Sequence, residues 1–157
     1  MKRTAIALAA LIGSGTFVSA ETVTPDNFVM DEYGSIEASL TGVAGDPAAG
    51  ADVMSNRGLG NCVACHQVSA LSAAFQGNVG PSLDGAGDRW EEAQLRGIVA
   101  NAKMTFPDSV MPSFYKTSGF IRPGNAFTGK AAEGALDPLL TAQQVEDVVA
   151  YLATLKE

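Results

Sequence analysis

Apolar residues recur at helical spacing in three windows of the chain. The clearest is the last: Val145, Val148, Val149, Leu152 and Leu155 fall on one face of a 3.6-residue repeat. Thr141 and Gln144 stand where a capping box starts such a helix, so a helix is predicted from there to the C-terminus. A second stripe, Leu95, Ile98 and Val99, predicts a helix from Trp90 to near Asn101 with Asp88 as its cap. The third begins at Asp46-Pro47, an N-cap followed by proline in the first turn, and predicts a helix to Gly58 with Gly50, Val53 and Met54 turned inward.

Between these windows the pattern breaks down. Residues 21–45 alternate weakly and are broken by Pro25, Gly34 and Gly42, which predicts an extended arm. Gln67 to Gly87 is rich in glycine and reads as loop, and Pro107 and Pro112 prevent continuous helix between Phe106 and Ser113. Phe114 to Leu140 is long and irregular, the kind of stretch that is usually functional inside a compact domain. It carries Phe114, Tyr115, Phe120, Ile121 and Phe127, which must be covered either by folding back or by a partner. The prediction is an all-α domain over 46–157, preceded by the arm at 21–45.

The first twenty residues follow another logic. Lys2 and Arg3, the apolar run Ala5 to Ile12 and the small residues Val18-Ser19-Ala20 have the form of a secretory signal peptide cleaved after Ala20. The apolar run is too short to span a bilayer, so no membrane insertion is expected. Without Lys2 and Arg3, eight basic residues face 17 acidic ones, a net charge of −9. Such a surface repels nucleic acid and anionic lipid, and disfavours a site for a small anionic substrate on this chain alone.

An exported chain with two cysteines ordinarily suggests a disulfide. Here they form Cys62-Val63-Ala64-Cys65-His66, and His66 is the one histidine of the chain. This is C-x-x-C-H, the attachment motif of c-type haem. On a helical turn, positions i and i+3 share a face, so both thiols can reach one haem edge while the next residue swings its imidazole toward the iron. A thioredoxin-type pair needs a βαβ setting, and a zinc site needs four ligands that the chain does not offer. A two-residue disulfide is strained. One covalent haem c is therefore expected, on Cys62 and Cys65, with His66 on the iron.

No second histidine and no spare thiol remain for the sixth iron position, which points to methionine, a ligand that raises the potential. After the signal peptide there are Met30, Met54, Met104 and Met111. Met54 fits core packing and Met30 belongs to the arm. Met111 precedes Pro112, whose ring biases it to extended backbone, so Met111 is favoured as the metal ligand and Met104 is the alternative.

Cys62 to His66, Val79-Gly-Pro-Ser-Leu83, Met111-Pro112 and the terminal helix resemble class I cytochromes c. Gly45-Asp-Pro-Ala48, Met111-Pro-Ser-Phe-Tyr115 and Leu140 to Leu155 are more narrowly similar to the SoxX family, from about Leu40 onward. These are the small cytochrome subunits of SoxAX complexes in bacterial thiosulfate oxidation. The resemblance implies a class I cytochrome c-like fold and a periplasmic location. It also implies that the carbonyl of Pro81 accepts the His66 Nδ1 proton, although a Gly-Pro pair is also an ordinary loop feature. Gly50 would lie where the first and last helices cross near Tyr151, and Met54, aromatic in many relatives, suggests a looser crossing. Arg89 and Trp90 are candidates to hold a haem propionate, or else form a solvated surface pair.

Function follows the same line. The resemblance implies the electron-transfer subunit of a heterodimeric L-cysteine S-thiosulfotransferase, which joins thiosulfate oxidatively to a cysteine of the SoxYZ carrier. No catalytic residue is expected here, because no cysteine is left to hold a sulfur adduct. The sulfur chemistry then belongs to the SoxA partner, and electrons leave to a downstream cytochrome c. The alternatives are a free-standing periplasmic shuttle and a haem whose methionine dissociates to admit a ligand.

Overall fold

The computed structural model describes residues 21–121, 123–124 and 128–157, so the signal peptide expected at 1–20 and Phe127 lie outside the described residues. Among the described residues the helices are α1 Pro47–Ser55, α2 Ala86–Arg89, α3 Glu92–Asn101 and α4 Ala142–Thr154, with 3₁₀ turns at Cys62–Ala64 and Ala102–Met104. Among the described residues the extended pairing is a single isolated bridge between Gly124 and Ala131. Among the described residues no helix is long and apolar enough to cross a membrane.

α1 starts as its sequence dictates. Asp46 is extended and its carboxylate accepts the Ala48 N–H at 2.8 Å, with Pro47 in the first turn. It ends at Ser55 rather than Gly58, because Asn56 leaves the helix and its side chain accepts the Gly58 N–H at 2.8 Å. α4 carries the expected capping box: Thr141 Oγ1 accepts from Gln144 N, and Gln144 Oε1 from Thr141 N. Val145, Val148, Val149, Leu152 and Leu155 are all buried.

The middle helix differs from expectation. Trp90 is extended, so α3 starts at Glu92 rather than Trp90, a separate turn α2 begins at Ala86 where loop was expected, and Glu91 rather than Asp88 is the residue before α3, with its N–H held by Gln94 Oε1. Asp88 instead accepts the Glu157 N–H, a partner 69 positions away that no local pattern announces. Ile98 is only half-buried, while Arg96 and Gly97 turn inward.

The core lies where α1 and α3 pack on α4. α1 crosses α4 at Gly50, where an added Cβ would collide with the Asp147 carbonyl oxygen and crowd Tyr151. Met54 beside it is fully buried, so the crossing is tight rather than loose. A buried ion pair ties α3 to α4: Arg96 Nε donates to Glu146 Oε1 at 2.9 Å. The same two side chains grip the arm, since Arg96 Nη1 donates to the Ile36 carbonyl and Leu40 N–H donates to Glu146 Oε1. The arm forms no strand but inserts Ile36 and Leu40 into the core.

Candidate functional site

Asn61 adopts the left-handed conformation, φ 47°, and turns the chain out of the preceding loop into the Cys62–Ala64 turn. The N–H groups of Cys65 and His66 both donate to the Cys62 carbonyl, at 3.1 and 3.0 Å. This winding sets the two cysteines one turn apart. Val63 points inward and is buried, Cys62 is half-buried and Cys65 exposed, and the thiols are not joined. Burial pushes the Cys62 thiol up to about 11. A thiol that burial keeps protonated is a poor redox nucleophile, which disfavours the thioredoxin reading. Among the described residues no cluster of three or more His, Cys, Asp or Glu side chains is disposed to hold a metal ion. The missing ligand cluster disfavours the zinc reading.

The loop that follows is stitched back onto this turn. Gly77 N–H donates to the Val63 carbonyl and Gly80 N–H to the Cys65 carbonyl, while Leu83 N–H donates to Gln67. Gly80 lies flat against the imidazole, since a Cβ there would collide with the His66 ring. The Pro81 carbonyl oxygen stands 2.7 Å from His66 Nδ1. A carbonyl can only accept, so Nδ1 is the donor in this bond and Nε2 is the nitrogen left outside it. Sequence comparison pointed to this bond. The Gly80 cradle has no local signature, because it requires residues fourteen positions apart to meet.

Arg89 contributes in a way sequence did not suggest. Its guanidinium donates to the Asp84 carbonyl at 2.7 Å and the Ser82 carbonyl at 3.1 Å, bracing the loop that carries Pro81. Asp84 accepts from both the N–H and the hydroxyl of Ser69, and those bonds, with the nearby Arg89 charge, hold its carboxyl below the usual range. Trp90 is half-buried with its ring edge-on to Phe106 at 6.0 Å.

The methionines separate by environment. Met54 is sealed in the core, Met30 packs half-buried in the arm, and Met104 is 53% exposed at the end of its 3₁₀ turn. Met111 is half-buried against the core cluster, and its backbone is held on both sides. Ser109 Oγ accepts its N–H at 3.1 Å, and Lys103 Nζ donates to its carbonyl at 2.8 Å.

The four described apolar residues of the long loop do not act as one patch. Phe114 and Tyr115 are buried, and the Tyr115 hydroxyl donates to the Val23 carbonyl of the arm. Phe120 and Ile121 are exposed, with Lys116 Nζ 5.0 Å from the Phe120 ring centroid.

Two thiols on one turn, an imidazole aimed by a carbonyl and a glycine where the ring needs clearance form the donor set that covalent haem requires. Known proteins agree. The cytochrome c family model matches residues 47–156. A chain in the crystal structure of SoxXA from P. pantotrophus matches with a TM-score of 0.82 and 59% sequence identity, covering 87% of this chain and 99% of that one. Comparison with curated protein sequences found no match. The helical scaffold is that of a class I cytochrome c, and the chain belongs to the cytochrome c family as a cytochrome of the SoxX type.

Proposed function

We propose that this chain is the one-haem electron-transfer subunit of a periplasmic SoxAX-type complex. It takes up the electrons released when thiosulfate is joined to a cysteine of the SoxYZ carrier. The observation that carries the reading is the Cys62–Ala64 turn, with His66 fixed between Gly80 and the Pro81 carbonyl. Cys62 and Cys65 would hold the haem covalently, and His66 Nε2 would face the iron. When bound, the haem supplies reversible one-electron chemistry between ferrous and ferric iron.

The remaining roles belong to the chain's own side chains. The Pro81 carbonyl accepts the His66 Nδ1–H and fixes the ring, so Nε2 is the nitrogen left to face the iron. Arg89 stiffens the loop that presents Pro81, which favours bracing over a propionate contact as its main task. Met111 is the better sixth ligand than Met104, because its backbone is anchored on both sides and its side chain is already partly withdrawn from water. Both cysteines are committed to attachment, so the sulfur-joining step falls to the SoxA-type partner. The match to a SoxXA structure supports that partner.

Purified mature protein should show one covalent haem in a pyridine haemochrome assay, retained through acid acetone extraction. It should support thiosulfate joining only with SoxA present. Colourless protein, or sulfur transfer by this chain alone, would overturn the proposal.

A further inference from the structure

The end of α3 is a seat for the segment that carries Met111. The last carbonyls of a helix lack partners within it. Here the Val99 and Ala100 carbonyls accept the N–H groups of Phe114 and Tyr115, at 3.4 and 3.1 Å. Asn101 Oδ1 accepts the Ser113 hydroxyl at 2.7 Å. Lys103, on the 3₁₀ turn that follows, completes the row by donating from Nζ to the Met111 carbonyl at 2.8 Å. Among these ties, that of Lys103 is the one that reaches Met111 itself. The Ser109 contact to Met111 N lies two positions away within the same loop and moves with it.

Lys103 is fixed at its base and unopposed at its tip. Ala102 before it is buried, and Thr105 beyond it is pressed by Gly34, where a Cβ would collide with Thr105 Oγ1. The chain is rich in acids, yet among the described residues the ion pairs are Arg96–Glu146 and Lys156–Asp88. Lys103 therefore gives its ammonium to a carbonyl rather than to a carboxylate, and no contacting acid cancels its charge. A hydrogen bond from a charged donor is stronger than a neutral one. The cation stands against the backbone of the residue whose thioether would meet the iron.

We propose that Lys103 is a positioning residue for the sixth iron ligand: its ammonium pins the Met111 backbone so that the thioether stays on the iron, and its charge favours the ferrous state. The inference rests on the Met111 reading above and adds what keeps that methionine in place. A thioether is a soft donor that favours ferrous iron, so a loosened segment releases it first from the ferric state. A nearby cation opposes the extra positive charge of ferric iron, so losing it lowers the potential. A lysine that merely supported the end of α3 would change stability and leave both properties alone.

The test titrates haem-loaded ferric wild type, Lys103→Met, Lys103→Arg and Lys116→Met with imidazole, which takes the sixth position only once the methionine has left it. Its apparent affinity scales with the population of that open state, so Lys103→Met should bind it about fivefold more tightly. In a redox buffer that leaves wild type half reduced, the ferrous-to-ferric ratio of Lys103→Met should be about threefold lower. Lys103→Arg keeps the charge and the N–H donors and should stay within about twofold of wild type on both measures. Lys116→Met removes a lysine that contacts Gly119 and Phe120, and should change neither. Imidazole affinity of Lys103→Met within about twofold of wild type would overturn the proposal, even with a lower urea midpoint. An equal change in Lys116→Met would overturn it too, by showing a general effect of charge. Met111→Ala separates this inference from the reading beneath it, since that variant should lose the methionine absorption band of the ferric protein. A band retained there would assign the ligand to another methionine, and the inference falls with that reading.

Discussion

Gly80 shows how little tolerance the site has at the level of one residue. A methyl group there would occupy the position of the His66 ring. Gly80→Ala should therefore swing the imidazole away from the Pro81 carbonyl and cut the yield of covalently loaded protein about tenfold, the scale on which loss of a ligand-orienting contact acts. Haem staining of the mature protein against total protein checks this, and a wild-type ratio would contradict it. Asp84 gives a prediction in pH. Its bonds to Ser69 lower its pKa from 3.8, so the folded state favours the charged form. That contribution is complete above the unfolded value and fades as pH falls through the lower folded value. Melting curves of wild type should lose more on acidification below about pH 4 than those of Asp84→Asn, whose side chain does not titrate there. Parallel curves would show that the Ser69–Asp84 tie does not matter to stability. Cys62, Cys65 and His66 were legible in the sequence because their chemistry is written in five adjacent letters. Gly80 and the Arg89 brace were not, because each acts on atoms the fold brings from elsewhere.

At the scale of elements, legibility follows the range of the signal. The Thr141–Gln144 box and the Asp46-Pro47 start involve residues three apart or fewer, and both are present in the folded chain. The later start of α3 was missed because Asp88, a plausible cap by type, finds the Glu157 backbone instead. Glu146 did leave a trace, as an acid beside Val145 on the inner stripe of α4, and its meaning needed Arg96 from another helix. Removing one member of such a pair strands the other in the core, at about 3–5 kcal/mol, while replacing both with apolar residues of similar volume is often neutral. Glu146→Leu should accordingly unfold far below wild type in urea, and Arg96→Met with Glu146→Leu should recover much of the loss. The recovery should stay partial, since Leu40 N–H and the Ile36 carbonyl lose partners as well. The α1–α4 crossing makes a sharper demand: Gly50→Val drives a side chain into the Asp147 carbonyl and should lower stability by about 1–3 kcal/mol, read from the same urea curves.

For the whole molecule, the arm decides how the parts hold together. Its sequence pattern is weak because its order comes from tertiary partners. Val23 N–H pairs with the Leu40 carbonyl, Ile36 N–H donates to the Ala93 carbonyl ahead of Arg96, and the Phe28 ring stacks on Tyr115 with centroids 6.1 Å apart. The arm thereby spans from α3 to the segment after Met111, and links both sides of the site to one core. Two truncations separate its halves. Removing residues 21–31 deletes the Phe28 stack and the Val23 carbonyl that accepts the Tyr115 hydroxyl, but leaves Ile36 and Leu40 seated. It should lower the melting temperature by only a few degrees, since about 1 kcal/mol shifts it by that much in a domain of this size. Removing residues 21–41 also uncovers the sites of two fully buried aliphatic side chains, each contributing about 1.5–3 kcal/mol, and unpairs the arm-facing groups of Arg96 and Glu146. That protein should retain its haem, because Cys62 and Cys65 lie outside the arm, yet melt well below the shorter truncation. In both truncations the Met111 segment should loosen, since Tyr115 loses Val23 and Phe28, its partners on the arm. A weakened absorption band near the red end of the ferric spectrum, where methionine ligation to iron reports, would register that loosening. Equal melting temperatures for the two truncations would mean that Ile36 and Leu40 are passengers in the core.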